Sequence, residues 1–214
     1  MLSWSGTAST RSSIRASSPT DLGGIMTYPT IEEAEHLLQE AWACNQGPWA
    51  DHSRIAARCA ARIASRAGMD PEKAYVLGLL HDIGRRFGKK HLAHVYDGYR
   101  YMRELGYDEA ARICLTHSFC LNTISCYIGD LDIPIALQEE LEALLSKLNY
   151  DDYDHLIQLC DCLAGSEGIM DMEARMLDVK RRYGRYPQEK WDRNMELRRI
   201  FEARCGADIY DIIK

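Results

Sequence analysis

The sequence predicts a single-domain, all-α fold of about seven to nine helices. After Thr30, apolar residues recur with a period of roughly 3.6 along most of the chain, as they do on one face of a helix. Start and stop signals divide this pattern into segments, for example Asp70-Pro71 before one segment and Gly68 after another. Alternating apolar and polar runs are missing, as are hairpin dipeptides between β-branched segments, which argues against a sheet.

The first five predicted helices begin or end at recognisable residues. Thr30 is a candidate N-cap for the first helix, and Gly68 ends the second. Asp70 and Pro71 open the third helix, which breaks at Gly84. The predicted ranges are 31–43, 49–67, 71–82, 94–105 and 108–119.

Four more helices complete the predicted domain. Pro134 opens the first of them, Asp151 or Asp152 opens the second, and Pro187 opens the last. Ile169 marks the start of the third, which has few boundary signals. The predicted ranges are 135–148, 151–165, 169–179 and 187–206.

The first residues differ in composition from the rest of the chain. Residues 1–25 are rich in Ser, Thr, Gly and Arg and lack any periodicity. We expect them to be a disordered extension, or sequence upstream of a true start at Met26. Residues 26–214 contain no internal repeat and no linker, so we expect them to form one domain.

Composition and charge exclude several classes of protein. The 214 residues, of which 46% are hydrophobic and 27% charged, suit a folded domain rather than a disordered chain. A formal net charge of −6 disfavours a nucleic-acid polymer as partner, and no window approaches the roughly 20 apolar residues of a membrane span. The eight cysteines form no CxxC pair, so we interpret them as reduced thiols of a cytoplasmic protein.

Several predicted helices carry a histidine or an aspartate on the apolar face. Four histidines and two aspartates from five helices share this property. They are His52, His81, Asp82, His94, His117 and Asp161. Burying an ionisable side chain is costly unless it is paired or binds a metal ion, and convergence on a metal would satisfy all of them together. Imidazole with carboxylate and without thiolate suits Fe, Mn, Zn, Ni or Co.

The order of these residues resembles that of the HD superfamily of metal-dependent phosphohydrolases. The family motif is H…HD…D on successive helices of an all-α fold, and many members insert two more histidines before the last aspartate. The matching segments lie within about residues 49–165 and read DHSRIAARCAARIA, LGLLHDIGRR, HVYDGYRYMRELGYDEAARICLTHS and LIQLCDCLAG. The resemblance implies an HD-type core at 49–165, with C-terminal helices at 166–214 that either cap the site or buttress it.

The resemblance also implies a ligand set for two divalent transition-metal ions. The first ion would be bound by His52, His81, Asp82 and Asp161, and the second by Asp82, His94 and His117. Asp82 would bridge the two ions through its two oxygens. His91 is a rival for the place of His94, which we prefer because it shares a helix face with Gly98.

The same resemblance implies a phosphohydrolase activity. Metal-activated water would attack a phosphate ester or anhydride of a small, nucleotide-like substrate. Asp82 is a candidate catalytic residue that would orient the water, a role open to Asp161 as well. Arg85 stands where many family members have a lysine, and it can bind phosphate bidentately. A guanidinium is less suited to proton transfer, so the general acid stays unassigned.

A basic run follows the HD pair. It consists of Arg85, Arg86, Lys89 and Lys90. One interpretation is a solvated loop, because runs of charge usually face solvent. The other is a clamp for the substrate phosphate, formed by Arg85 first and by Arg86 and Lys89 with it.

Two other functions are compatible with the same ligands. Some HD-fold proteins oxidise small organic molecules at a mixed-valent di-iron centre, so O2 consumption would distinguish that class. A non-catalytic nucleotide sensor is disfavoured, because degenerate members usually lose ligands and this chain retains the full set. The expected partner is a small phosphorylated molecule, and we expect the protein to act alone or as a homo-oligomer.

Overall fold

The computed structural model describes residues 27–214, which are largely helical. The α-helices are α1 (Ile31–Cys44), α2 (Trp49–Ala67), α3 (Pro71–Leu80), α4 (Ala93–Glu104), α5 (Asp108–Thr116), α6 (Ile135–Leu145), α7 (Asp152–Leu163), α8 (Met172–Tyr183), α9 (Gln188–Cys205) and α10 (Ile209–Ile213). Two short 3-10 helices are Ile83–Phe87 and Ile124–Cys126. Residues 27–214 contain no β-strand, only an isolated bridge between Ala164 and Ile169. The predicted all-α class is therefore confirmed.

The observed helices follow the predicted ones with small differences at their ends. The nine predicted segments correspond to α1–α9, while α5 ends at Thr116 and α6 at Leu145, each three residues before its predicted end. The described residues add one short tenth helix, α10, which is capped by Asp208. The expectation of disorder for residues 1–25 lies outside the described residues.

Capping side chains explain where the first helices begin. Thr30 accepts a hydrogen bond from the backbone N–H of Glu33, whose carboxylate accepts one in return from the backbone of Thr30. Asp70 accepts hydrogen bonds from the backbone N–H groups of Glu72 and Lys73 at the start of α3. These local bonds fix the direction in which each helix leaves its turn.

Two glycines bring the helices around the site into backbone contact. A Cβ atom at Gly78 of α3 would lie 2.9 Å from the Cα of Ala57 in α2. A Cβ atom at Gly84, in the first 3-10 helix, would lie 1.9 Å from the carbonyl oxygen of His94 and 2.5 Å from the backbone nitrogen of Gly98. Only glycine permits these distances, so α2, α3 and α4 pack closely where they converge.

Helix α7 packs against α2, α3 and α5, and the main apolar core lies among these helices. A smaller core lies under α6 and includes Phe119, Leu141 and Leu145. Helices α8 and α9 also pack on α7, and α9 contacts α2 as well. Among residues 27–214, no helix combines the length and the apolar character needed to cross a membrane.

Candidate metal centre

The structure brings together all of the ionisable residues that the sequence placed on apolar faces. Each lies at or close to a helix end, so the ends of five helices meet at one point. The residues are His52 of α2, His81 and Asp82 at the end of α3, His94 of α4, His117 at the end of α5, and Asp161 of α7. Residues far apart in sequence thus form a single cluster.

Two triads of ligand atoms share one carboxylate. His52, His81 and Asp82 offer atoms that all lie within 4.8 Å of one another, and so do Asp82, His94 and His117. Oδ1 of Asp82 lies 3.0 Å from Nε2 of His94 and 3.6 Å from Nε2 of His117. Oδ2 lies 3.9 Å from Nε2 of His81. Asp82 therefore has one oxygen toward each triad, as a bridging ligand requires.

Asp161 completes the first triad from the side of α7. Its Oδ1 lies 3.1 Å from Nε2 of His52 and 4.0 Å from Nε2 of His81. His91, the rival for the place of His94, lies at the surface with its ring against Tyr183. The imidazole that reaches the cluster from this segment is that of His94.

Backbone carbonyls fix the tautomer of all four histidines. Because a carbonyl oxygen only accepts hydrogen bonds, the Nδ1 atom that faces it must carry the proton. The carbonyls are those of Ala164 for His52 (3.0 Å), Gly78 for His81 (2.7 Å), His91 for His94, and Cys114 for His117 (2.9 Å). In the neutral ring, each Nε2 atom then keeps its lone pair and points into the cluster, as in metal-binding histidines.

Two of these histidines also end a helix. His81 is the C-cap residue of α3, and His117 is that of α5. In each case the Nδ1–H group donates to the carbonyl three residues earlier, which belongs to the last turn of the helix. The unpaired carbonyls of a helix end are thus used to orient a ligand.

Two observations indicate that the cluster suits a divalent cation. Oδ1 of Asp82 is buried and has no hydrogen-bond donor among the described residues. The Nε2 atoms of His52 and His81 are 3.2 Å apart. With both rings neutral and carrying their proton on Nδ1, no proton lies between these two atoms. Lone pairs this close repel each other unless a cation binds them, and imidazole with carboxylate suits a transition-metal ion.

Burial and neighbouring charges set the protonation states of the cluster. Burial lowers the pKa of His81, and it lowers that of His117 to about 3, so both rings are neutral near pH 7. Burial alone would raise the pKa of Asp82, but the guanidinium of Arg85 holds it well below the usual range. The pKa of Asp161 is likewise held below its usual range, although burial alone would raise it. Neutral imidazoles and ionised carboxylates are the forms that bind metals.

Of the basic residues that follow the HD pair, Arg85 lies at the cluster, whereas Arg86 and Lys89 lie away from it. Nε of Arg85 donates to Oδ2 of Asp82 at 2.5 Å. The guanidinium of Arg86 instead lies 4.1 Å from the centre of the Tyr101 ring, and Lys89 is exposed. Successive residues of a 3-10 helix are about 120° apart, so Arg85 and Arg86 face different directions. The structure brings Arg85 to the cluster but neither Arg86 nor Lys89.

A cleft of about 380 Å³ opens onto the cluster, and α8 forms one of its walls. Arg175, Val179 and Arg182 of α8 line it. Nη2 of Arg175 lies 3.7 Å from Oδ1 of Asp161. Sequence reasoning missed both arginines and left open what the region after residue 165 does. Val179 and Arg182 follow Arg175 by four and seven residues. That spacing was the available signal, since it places the three side chains on one face of a helix.

Comparison with known proteins agrees with the fold and the cluster. A model of the HD domain family matches residues 49–165, which is more than half of the chain and contains every clustered residue. No curated protein and no solved structure gave a match. Proteins of the HD superfamily are usually hydrolases and bind divalent metals. On the match, the helical fold and the order of the clustered residues, this chain belongs to the HD domain family.

Proposed function

We propose that the protein is a metal-dependent phosphohydrolase that acts on a small, nucleotide-like phosphate ester or anhydride. The observation that carries this proposal is that two triads, each of two histidines and the shared Asp82, adjoin a cleft that guanidinium groups also line. Two adjoining triads suit a pair of metal ions, and guanidinium groups suit a phosphate. The cleft volume of about 380 Å³ is in the range of small-molecule sites.

Divalent ions held by the two triads would polarise phosphoryl oxygens and lower the pKa of water, which is the chemistry that phosphate hydrolysis requires. The protein contributes fixed ligands, because its histidines are anchored to backbone carbonyls. It also excludes competing protons, since the buried imidazoles stay neutral. These features hold the ligand atoms in position before a substrate arrives.

The arginines of the cleft bind and orient the phosphate in this proposal. Because Nε of Arg85 is held by Asp82, the plane of its guanidinium is fixed and its other nitrogens are available to phosphate oxygens. Arg175 lies next to Asp161. Arg182 lines the same cleft from the same helix, α8. The cleft is therefore cationic although the chain carries a net charge of −6, which favours small anions.

The test measures metal content and phosphate release together. Protein purified without oxygen and loaded with Mn or Fe should hold about two ions per chain and release phosphate from nucleoside phosphates. His117→Ala should hold about one ion and lose most of this activity, because one triad has lost a ligand. His36→Ala is the matched control, since His36 is exposed on α1 and, among residues 27–214, pairs with Glu40 outside the cluster.

Each alternative predicts a different result. Consumption of O2 with an organic substrate, and no release of phosphate, would replace hydrolysis by di-iron oxidation. Retained metal without turnover of any substrate would support a sensor. A metal content that His117→Ala does not change would reject the second triad as a metal site.

A further inference from the structure

A second, smaller cavity adjoins the metal centre, and we propose that it binds a hydroxyl-bearing part of the substrate. Its volume is about 130 Å³, roughly ten times the space that one water needs. His117, Tyr127 and Asp161 line both this side chamber and the cleft, so the two are adjacent. This inference rests on the proposed function, because it assigns the organic part of the molecule whose phosphate that function places at the metal centre.

Gln158 supplies an unpaired acceptor to the side chamber. It lies on α7 one turn before Asp161, lines the chamber and is only 2% exposed. Its Nε2 donates to the carbonyl of Thr116 at 3.0 Å, which fixes the orientation of the amide. Its Oε1 is buried and has no donor among the described residues. A buried acceptor without a donor is costly, so a ligand that donates there gains affinity.

Cationic donors line the same chamber. Nζ of Lys190 donates to the carbonyl of Ser118 at 2.8 Å and keeps further N–H groups for a ligand. Arg175 lines the chamber as well. A hydroxyl group can donate to Gln158 and accept from Lys190 at once, whereas a carboxylate cannot donate to Gln158. Asp161 also lines the chamber, but it lies 3.7 Å from Arg175, so Lys190 is the charge left to repel an ammonium. The unpaired acceptor of Gln158 and the donor of Lys190 together favour a hydroxyl.

The remaining walls suit a short carbon chain. Met176 and Val179 of α8 present apolar atoms. Asn194, another buried polar residue of the chamber, already donates to the hydroxyl of Tyr186 at 2.7 Å. Of these two buried amides, Gln158 is therefore the one whose oxygen is left for a ligand.

The test compares three phosphonates of equal chain length, which bind without being hydrolysed as esters. The probes are 3,4-dihydroxybutylphosphonate, butylphosphonate and 4-aminobutylphosphonate, titrated by calorimetry into the metal-loaded protein. We expect the dihydroxy compound to bind about tenfold more tightly than the butyl compound, and the amino compound to bind more weakly than either. Gln158→Met should reduce the first ratio to about one, because it removes the acceptor at similar volume.

A second variant and a control separate this effect from misfolding. Lys190→Met changes a half-buried residue and should also lower the ratio, because it removes the donor. Gln39→Met makes the matched substitution on the exposed face of α1 and should leave the ratio unchanged. Thermal unfolding of each variant checks that it folds.

The outcomes for the side chamber and for the reaction are independent. Equal affinities for the dihydroxy and butyl compounds, including no binding of either, overturn the side-chamber proposal. The proposal is also overturned if both Gln158→Met and Lys190→Met still bind the dihydroxy compound more tightly than the butyl compound. Tighter binding of the amino compound than of the butyl compound overturns it as well. A hydroxyl preference without phosphate release from any ester rejects hydrolysis alone, and phosphate release without that preference rejects the side chamber alone.

Discussion

At the scale of residues, two buried aspartates differ in what balances their charge. Asp154 is fully buried, yet its carboxylate accepts hydrogen bonds from Arg112 at 3.0 Å, from the hydroxyl of Thr116 at 2.7 Å and from the backbone of Asp151 at 2.8 Å. Asp82, by contrast, keeps one oxygen without a donor among the described residues. The first carboxylate is satisfied within the chain, whereas the second is arranged for a ligand from outside.

Arg112→Met should destabilise the protein by about 3 kcal/mol, because it leaves the buried carboxylate of Asp154 without its cation. Denaturant unfolding measures the change. Arg100→Met is the control, since Arg100 and Glu104 form an exposed pair 3.6 Å apart whose loss should cost less than about 1 kcal/mol. Equal effects of the two substitutions would contradict this account of Asp154.

At the scale of elements, the first 3-10 helix sets the position of α4 relative to the end of α3. Gly84 in the 3-10 helix and Gly98 in α4 touch through their backbones. This contact fixes the distance between Asp82, just before the 3-10 helix, and His94, at the start of α4. The geometry of the second triad thus depends on a residue that offers it no ligand.

Gly84→Ala should weaken the second triad although it changes no ligand. The added Cβ would meet backbone atoms of α4, which cannot turn aside as a side chain could. We expect a loss of about 2 kcal/mol in stability and a metal content that falls toward that of His117→Ala. Gly47→Ala is the comparison, because its Cβ would meet mainly the ring of Trp49, at 3.1 Å. A Gly84→Ala protein with full metal content would contradict the proposed spacing role.

A comparison of the observed helices with the predicted ones shows which features could be predicted from the sequence. The nine longer helices were predictable from period and caps, and so was the convergence of the six candidate ligands, because each lies on a face marked by apolar neighbours. The ends of α5 and α6 were placed too late, since Phe119 and Leu148 continue the apolar pattern into the following turns. Arg86 was grouped with Arg85 by its position in the chain, and only the geometry of the 3-10 helix separates them. The packing direction of α8, which brings in Arg175, has no local signal in the sequence.

At the scale of the whole molecule, the candidate metal centre consists of side chains that are far apart in the sequence. Its ligands begin at His52 in α2 and end at Asp161 in α7, and they do not meet unless the helices between them have folded. A metal ion therefore binds the folded state far better than the unfolded one, and its binding energy adds to the stability of the domain.

Removal of metal should therefore lower the thermal stability of the entire domain. An ion present at about 100 times its dissociation constant stabilises a protein by roughly 2.7 kcal/mol, which corresponds to about 5–10 °C for a domain of this size. Scanning calorimetry of metal-loaded and chelator-treated protein measures the difference. His36→Ala should retain the shift and His117→Ala should show a smaller one, whereas an unchanged melting temperature after chelation would contradict the coupling.

The double role of His81 and His117 limits which residues can replace them. Asparagine can donate to a helix-end carbonyl but has no imidazole, and aspartate can bind a metal but cannot donate when ionised. Histidine alone satisfies both demands from these two helix ends. Selection for the fold by itself would accept asparagine at either position, whereas selection for the metal centre would not. A related sequence with asparagine at either position would therefore have kept the helix end and lost the metal ligand.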